Sequence, residues 1–340
     1  MTKKIEQLRS VTASLLDVSR PIHSLRPEVI ELTAILVNSQ TVRPTLHQDI
    51  SGGETRTSNG LALSPAMAAM CIEDFTRTIA FIRGTHAAIV DIRNQFTDRP
   101  ARVLYVGCGP FATLAVPLMA IFSSSEATFT LLDVHSESIV SAKSIVDTLC
   151  LSESVVGFET LDAGSYRVCP DQPPDVILIE IMQACLESEP QVSITRHLLS
   201  QASSAILIPE EVCVNLTFVD PSKEFNFDGL GVNGGDIKQD RIPVGSVFVL
   251  NRETVCSWQG NSSCRLPGSS VRVPDSVKQR YQPMLFTGIR VYQKHMLKDY
   301  DSGLTYPRAL STSGAVEAGD TIRFHYELGR HPRLIGQVCT

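Results

Sequence analysis

Between residues 101 and 212 the chain alternates apolar runs with helical periodicity, and no other feature restricts the fold as much. "ARVLYVG", "ATFTLLDV", "SVVGFETLD", "PDVILIEI" and "SAILIPEEV" read as strands. "FATLAVPLMAIF", "SESIVSAKSIVDTLC" and "SEPQVSITRHLLSQA" carry apolar residues at helical spacing and read as the helices among them. A strand that is apolar on both faces leaves no face for water, so helices must cover it on each side. That describes a parallel sheet of the α/β class.

The flanks differ from this centre. "KKIEQLRSVTASLLDV" places Ile5, Leu8, Val11, Leu15 and Leu16 at helical spacing, and "RPEVIELTAILVNSQ" repeats the pattern with Pro27 suited to a first turn. Residues 47–60 are rich in Gly, Ser and Thr and read as a loop. Ser64 is a candidate N-cap before Pro65, and one long helix is expected from there to about Gln95. After Pro209 the runs shorten and alternate, as in "CVNLTFVD", "VGSVFVLN" and "FTGIRVYQ", with Gly, Pro, Asn and Asp between them. This predicts an antiparallel barrel or sandwich. The expected division is a helical cover over 1–63, a Rossmann-like α/β unit over 64–209 and a β-rich unit over 210–340.

Composition excludes several classes of function. A net charge of −6 argues against a long basic groove, so no nucleic-acid partner is expected. No apolar run approaches twenty residues, so no membrane span is expected. The start, "MTKKIEQ", lacks the apolar region of a secretory signal. The nine cysteines are scattered and none form C-x-x-C, which points to reduced thiols, a cytoplasmic protein and no zinc site. No H-E-x-x-H occurs among the eight histidines, and no catalytic metal is expected.

Chemistry concentrates where "VLYVGCGPF" turns from strand to helix. Glycines at 107 and 109 let backbone N–H groups approach a polar ligand closely. Asp133 ends the next strand, where a carboxylate accepts ribose hydroxyls. Asp162 follows the third strand, within reach of an adenine amine. The alternative is that both aspartates cap helices or loops. The positions of a dinucleotide fingerprint read Gly107, Gly109 and Ala112, with Phe111 beside them. Phe111 packs either under an adenosine or between helix and sheet.

This signature resembles the first motif of class I S-adenosylmethionine (SAM) methyltransferases. SAM has no pyrophosphate, so a third glycine is dispensable. Two further stretches resemble protein arginine methyltransferases. "DFTRT" (74–78) matches an Asp-x-x-Arg-Thr element whose arginine holds the SAM carboxylate, which assigns that role to Arg77. "EIMQACLESE" (180–189) resembles the loop whose two glutamates clamp the substrate guanidinium, implying Glu180 and Glu189, with Glu187 a competitor for the second position. Ile181 and Gln183 depart from the family's Trp and Gly, and its Thr-His-Trp loop is not recognisable. Trp258 lacks a preceding histidine; His295 and His325 are the late-chain substitutes.

The resemblance implies a transferase using SAM, bound by Arg77, Gly107, Gly109, Asp133 and Asp162, with Glu180 and Glu189 catalytic. The departures point to N-methylation of a small amine or guanidine, such as an amino acid or natural-product intermediate. The alternative is aminocarboxypropyl transfer or cyclisation with release of methylthioadenosine, as in azetidine-2-carboxylate synthases. A SAM-binding partner subunit without turnover is a third reading. The N-terminal segment is expected to be a lid or a dimerisation arm, and a homodimer is the default.

Overall fold

The computed structural model describes residues 2–42, 51–224, 240–260, 262–312 and 314–339. Residues 47–50 of the expected loop at 47–60 lie outside these. The chain opens with helices α1 (Thr2–Leu16) and α2 (Arg26–Val37). A two-residue ribbon follows, β1 (Thr55–Arg56) antiparallel to β2 (Leu61–Ala62). Ser64 caps α3 (Pro65–Met70), its Oγ accepting the Met67 N–H at 3.2 Å.

The single helix expected from Ser64 to Gln95 is broken. A 3-10 turn covers Cys71–Glu73, and α4 spans Phe75–Gln95. The break falls at Asp74, whose carboxylate accepts the Arg77 N–H at 3.2 Å and so caps a new helix. Apolar periodicity runs through this point without a gap, so the pattern alone did not mark it.

The α/β unit contains β3 (Ala101–Val106), α5 (Val116–Ile121), β4 (Ala127–Asp133), α6 (Ser136–Thr148), β5 (Val155–Thr160), β6 (Val176–Ile179), α7 (Gln191–Leu199) and β7 (Ile206–Ile208). The five strands are parallel in the order β5-β4-β3-β6-β7. Every residue of β6 is buried, as its apolar run requires. Helix α5 is shorter than the expected 111–122. Ala112 takes a left-handed φ of +43° and Pro117 occupies the first turn, so helical backbone begins only at Val116.

The remaining elements are β8 (Glu211–Val219), α8 (Pro221–Glu224), β9 (Arg241–Asn251), α9 (Arg252–Ser257), β10 (Arg265–Arg272), β11 (Gln282–Tyr292), β12 (His295–Leu297), β13 (Arg308–Ala309), β14 (Thr321–Glu327) and β15 (Arg333–Cys339). They form two antiparallel sheets, β12-β11-β8-β9 with β13 on β11, and β10-β14-β15. "SAILIPEEV" is two strands rather than one: β7 closes the parallel sheet, and β8 starts the antiparallel one beyond Pro209. The sheets share an aromatic core, in which Phe248 stacks on Trp258 and Tyr326 with centroids 5.6 and 5.0 Å away.

The N-terminal helices belong to the main core. Leu8, Val11 and Leu15 of α1, and Val29, Leu32 and Leu36 of α2, are buried at i, i+3 and i+7. They join the apolar cluster that includes α4 and α5. Arg83 of α4, only 6% exposed, donates to Leu15 O at 2.7 Å and Asp17 O at 2.6 Å, satisfying carbonyls at the end of α1. The two helices therefore back the α/β unit instead of lying over it as a lid.

Candidate functional site

The strand order sets where a ligand can sit. From β3 the chain moves outward to β4 and β5, then returns past β3 to β6 and β7. Connections leaving the ends of β3 and β6 therefore diverge and open a crevice at the sheet's C-terminal edge. A cavity occupies it. Arg77, Gly107, Gly109, Asp133, Asp162, Glu180 and Glu189 all border it, between apolar walls that include Leu114, Leu132, Leu161, Ile181 and Met182.

The Gly-Cys-Gly turn needs its glycines for two reasons. Both have left-handed φ, +74° at Gly107 and +61° at Gly109. A Cβ on Gly107 would also lie 2.2 Å from Ile181 Cγ2, whereas one on Gly109 would meet only Ala68 at 3.6 Å. The Gly109 N–H donates to Asp133 Oδ2 at 2.9 Å, and the His135 N–H donates to Oδ1 at 2.9 Å. Asp133 is thus a buried carboxylate held by two backbone donors, with a further lone pair on each oxygen. Phe111 is buried in the main apolar cluster and absent from the cavity wall, so it packs in the core and not under a bound adenosine. Asp162 takes the capping reading, its Oδ1 accepting the Gly164 N–H at 2.8 Å, and the residue also borders the cavity.

Arg77 and Glu180 have different expected ligands, yet in the structure they pair with each other, Nη2 to Oε2, with side chains 12% and 6% exposed. Arg77 stands in the first turn of α4. Asp74, which starts that helix, also accepts Ser302 Oγ at 2.7 Å and the Gly303 N–H at 2.9 Å. The β-rich unit thereby fixes the turn that carries the arginine. Glu189 is 5% exposed, and burial pushes its carboxyl from 4.5 up to about 7; the Arg77 charge opposes this and Glu54 adds to it.

The loop between the two glutamates has a strained backbone. Cys185, Leu186 and Ser188 have φ of +60°, +59° and +67°, without a glycine among them. Such residues cost about 1–3 kcal/mol each and persist only where surroundings enforce them. Four bonds do so. The Cys185 N–H donates to Thr287 Oγ1 at 2.8 Å, and the Tyr326 hydroxyl donates to Leu186 O at 2.5 Å. The Ser188 N–H donates to Pro332 O at 2.9 Å, and the Leu61 N–H donates to Ser188 O at 2.8 Å. This conformation turns Glu189 to the cavity and leaves Glu187 off its wall.

The ribbon β1–β2 covers the cavity. Among the described residues of 1–63, Thr57, Leu61, Ala62 and Leu63 border it. Thr55 Oγ1 is 3.0 Å from His135 Nε2, and Arg56 donates to Arg330 O at 2.9 Å. Gly60 lies so close to the glutamate loop that a Cβ there would be 2.8 Å from Ser188 O. His135 and Tyr105 also border the site and escaped the sequence reading. His135 sits two residues past Asp133, and Tyr105 two before Gly107, so proximity to the strand ends was the available signal. Burial pushes the Tyr105 phenol up, which keeps it a neutral hydroxyl. Trp258, His295 and His325 do not border the cavity.

No protein-family model matches the sequence, and no curated protein matches it. Solved structures are similar in shape. Protein arginine methyltransferase 10 of Arabidopsis thaliana is 14% identical, with a TM-score of 0.43 over 72% of this chain and 84% of that one. PRMT6 is 14% identical, with a TM-score of 0.47 over 74% of this chain and 94% of that one. A SAM-dependent methyltransferase of Thiobacillus denitrificans, in complex with S-adenosyl-L-homocysteine, is 20% identical, with a TM-score of 0.23 over 39% of this chain and 49% of that one.

Proposed function

We propose that the protein is a SAM-dependent N-methyltransferase acting on a small amine or guanidine. The observation that carries this reading is one cavity at the sheet's switch point bordered by a glycine turn, a strand-end aspartate, an arginine and two glutamates. The donor set suits SAM. A guanidinium suits the carboxylate of its methionine end, which assigns Arg77. Asp133 suits the ribose hydroxyls, and Asp162 the adenine edge. Gly107 and Gly109 let the backbone come close. When bound, SAM supplies a methyl group already activated by its sulfonium.

The protein's share is then placement and proton management. Glu180 and Glu189 attract a cationic nitrogen and orient it. A nitrogen becomes nucleophilic only after losing its proton, and Glu189, titrating at about 7, is matched to accept one near neutral pH. The β1–β2 ribbon excludes water from the reacting centre. Arg77 serves twice, balancing Glu180 and gripping the methionine carboxylate.

Product analysis by mass spectrometry tests the reading. The protein is incubated with SAM alone and then with a panel of amines and guanidines. S-adenosylhomocysteine formed only with an acceptor is the expected result. Methylthioadenosine above background without an acceptor overturns methyl transfer in favour of chemistry on the aminocarboxypropyl arm.

A further inference from the structure

The backbone around Glu180 leaves the parallel sheet before both its sides are paired. On the β3 side pairing runs to the end of β6, with Val106 opposite Ile179 and the Glu180 N–H donating to Val106 O at 3.4 Å. On the β7 side the register stops at Leu178 opposite Ile208. The next residue there is Pro209, which has no N–H to offer. Successive peptide groups of a strand face opposite sides, so Ile179 O and the Ile181 N–H face an edge where β7 has ended.

Gln191 fills that edge. Its Nε2 donates to Ile179 O at 3.0 Å, and its Oε1 accepts the Ile181 N–H at 3.2 Å. A carboxamide carries the donor and the acceptor of a peptide group. One side chain thus extends the ladder past the end of β7. Gln191 is 1% exposed, a degree of burial unusual for glutamine and tolerable here because both polar ends are bonded. Its two bonds bracket Glu180. It is also the first residue of α7 and follows Glu189 by two positions. The same residue is bonded around one acid and covalently close to the other.

We propose that Gln191 is a positioning residue that sets the placement of Glu180 relative to Glu189 for the acceptor nitrogen. This rests on the reading of the two glutamates as the acceptor clamp.

Gln191→Met removes both hydrogen bonds at similar volume. The expected result is a SAM Kd within about twofold of the parent and a kcat lower by about 100-fold, the size of effect that a displacement near 1 Å produces. Gln191→Glu is the discriminating partner. A neutral carboxyl offers an O–H donor and a carbonyl acceptor, so it restores both bonds, and an ionised one loses the donor. Its kcat relative to the parent should therefore be near one at low pH and fall as pH rises. A parent-like kcat in Gln191→Met, a parallel collapse of SAM affinity and Tm, or a Gln191→Glu ratio independent of pH overturns the proposal. If the parent turns over no acceptor, the clamp reading itself has failed, and amide exchange still reads the placement. Loss of protection confined to Ile181 in Gln191→Met supports it; unchanged protection refutes it.

Discussion

Replacing Glu189 by glutamine should stabilise the protein, and only above a defined pH. The carboxyl ionises at about 7 in the fold against an ordinary 4.5, because burial disfavours its charge. The folded state therefore holds this proton more tightly than the unfolded state. Below 4.5 both states are protonated and the site contributes no difference. As pH rises to about 7 the parent loses about 3 kcal/mol, at about 1.4 kcal/mol per tenfold change in proton affinity. Glutamine imitates the protonated acid and escapes this loss. An unfolding entropy of about 2.1 cal/mol/K per residue turns 3 kcal/mol into roughly 4 °C for a chain of this length. Differential scanning fluorimetry at matched ionic strength should show Glu189→Gln melting roughly 4 °C above the parent at pH 8 and about 1 °C or less above it at pH 5. A gap that is equal at the two pH values, or reversed at pH 8, refutes the buried-acid argument. With the acceptor in hand, the same variant should lack the rise in kcat through pH 7 expected of the parent.

Substitutions at Arg77, Asp133 and the two glycines test the remaining walls of the cavity. Arg77→Ala should weaken SAM binding and also destabilise the fold by about 3 kcal/mol, because it strands the buried Glu180 carboxylate; adding Glu180→Gln should recover the Tm by thermal melts but not the affinity by calorimetry. Asp133→Ala removes the acceptor for two backbone N–H groups, and a loss of SAM affinity of about 1–3 kcal/mol is expected by calorimetry; unchanged affinity would exclude the ribose role. Gly107→Ala places a Cβ 2.2 Å from Ile181 Cγ2 at a left-handed φ, so SAM affinity and Tm should both fall, whereas Gly109→Ala meets only the backbone penalty and should have the smaller effect on Tm.

The readings that succeeded rest on local physics. β3 and β6 are legible because a strand buried on both faces must be apolar throughout, and "VLYV" and "VILI" are. Ser64 is legible because a capping hydroxyl bonds within three residues. The failures share a cause. Asp74 breaks a helix that periodicity would have continued: its carboxylate caps the Arg77 N–H and is also held by Ser302 and Gly303, more than 200 residues away. The N-terminal helices show the amphipathic pattern of a lid, and that pattern cannot specify which surface they bury against.

The candidate site divides along the same line. Glycines before a helix, an acid at a strand end and an arginine in a first helical turn can be picked out from short stretches, so their residue types are already written in the chain. Which glutamate of 187 and 189 meets the cavity was not. That choice depends on three left-handed residues held open by Thr287, Tyr326 and Pro332 of the β-rich unit and by Leu61 of the ribbon. The pairing of Arg77 with Glu180, and the glutamine that replaces a missing strand beside it, likewise exist only once distant segments pack. A carboxylate's identity is local; its proton affinity and its direction are set by what the rest of the chain places around it.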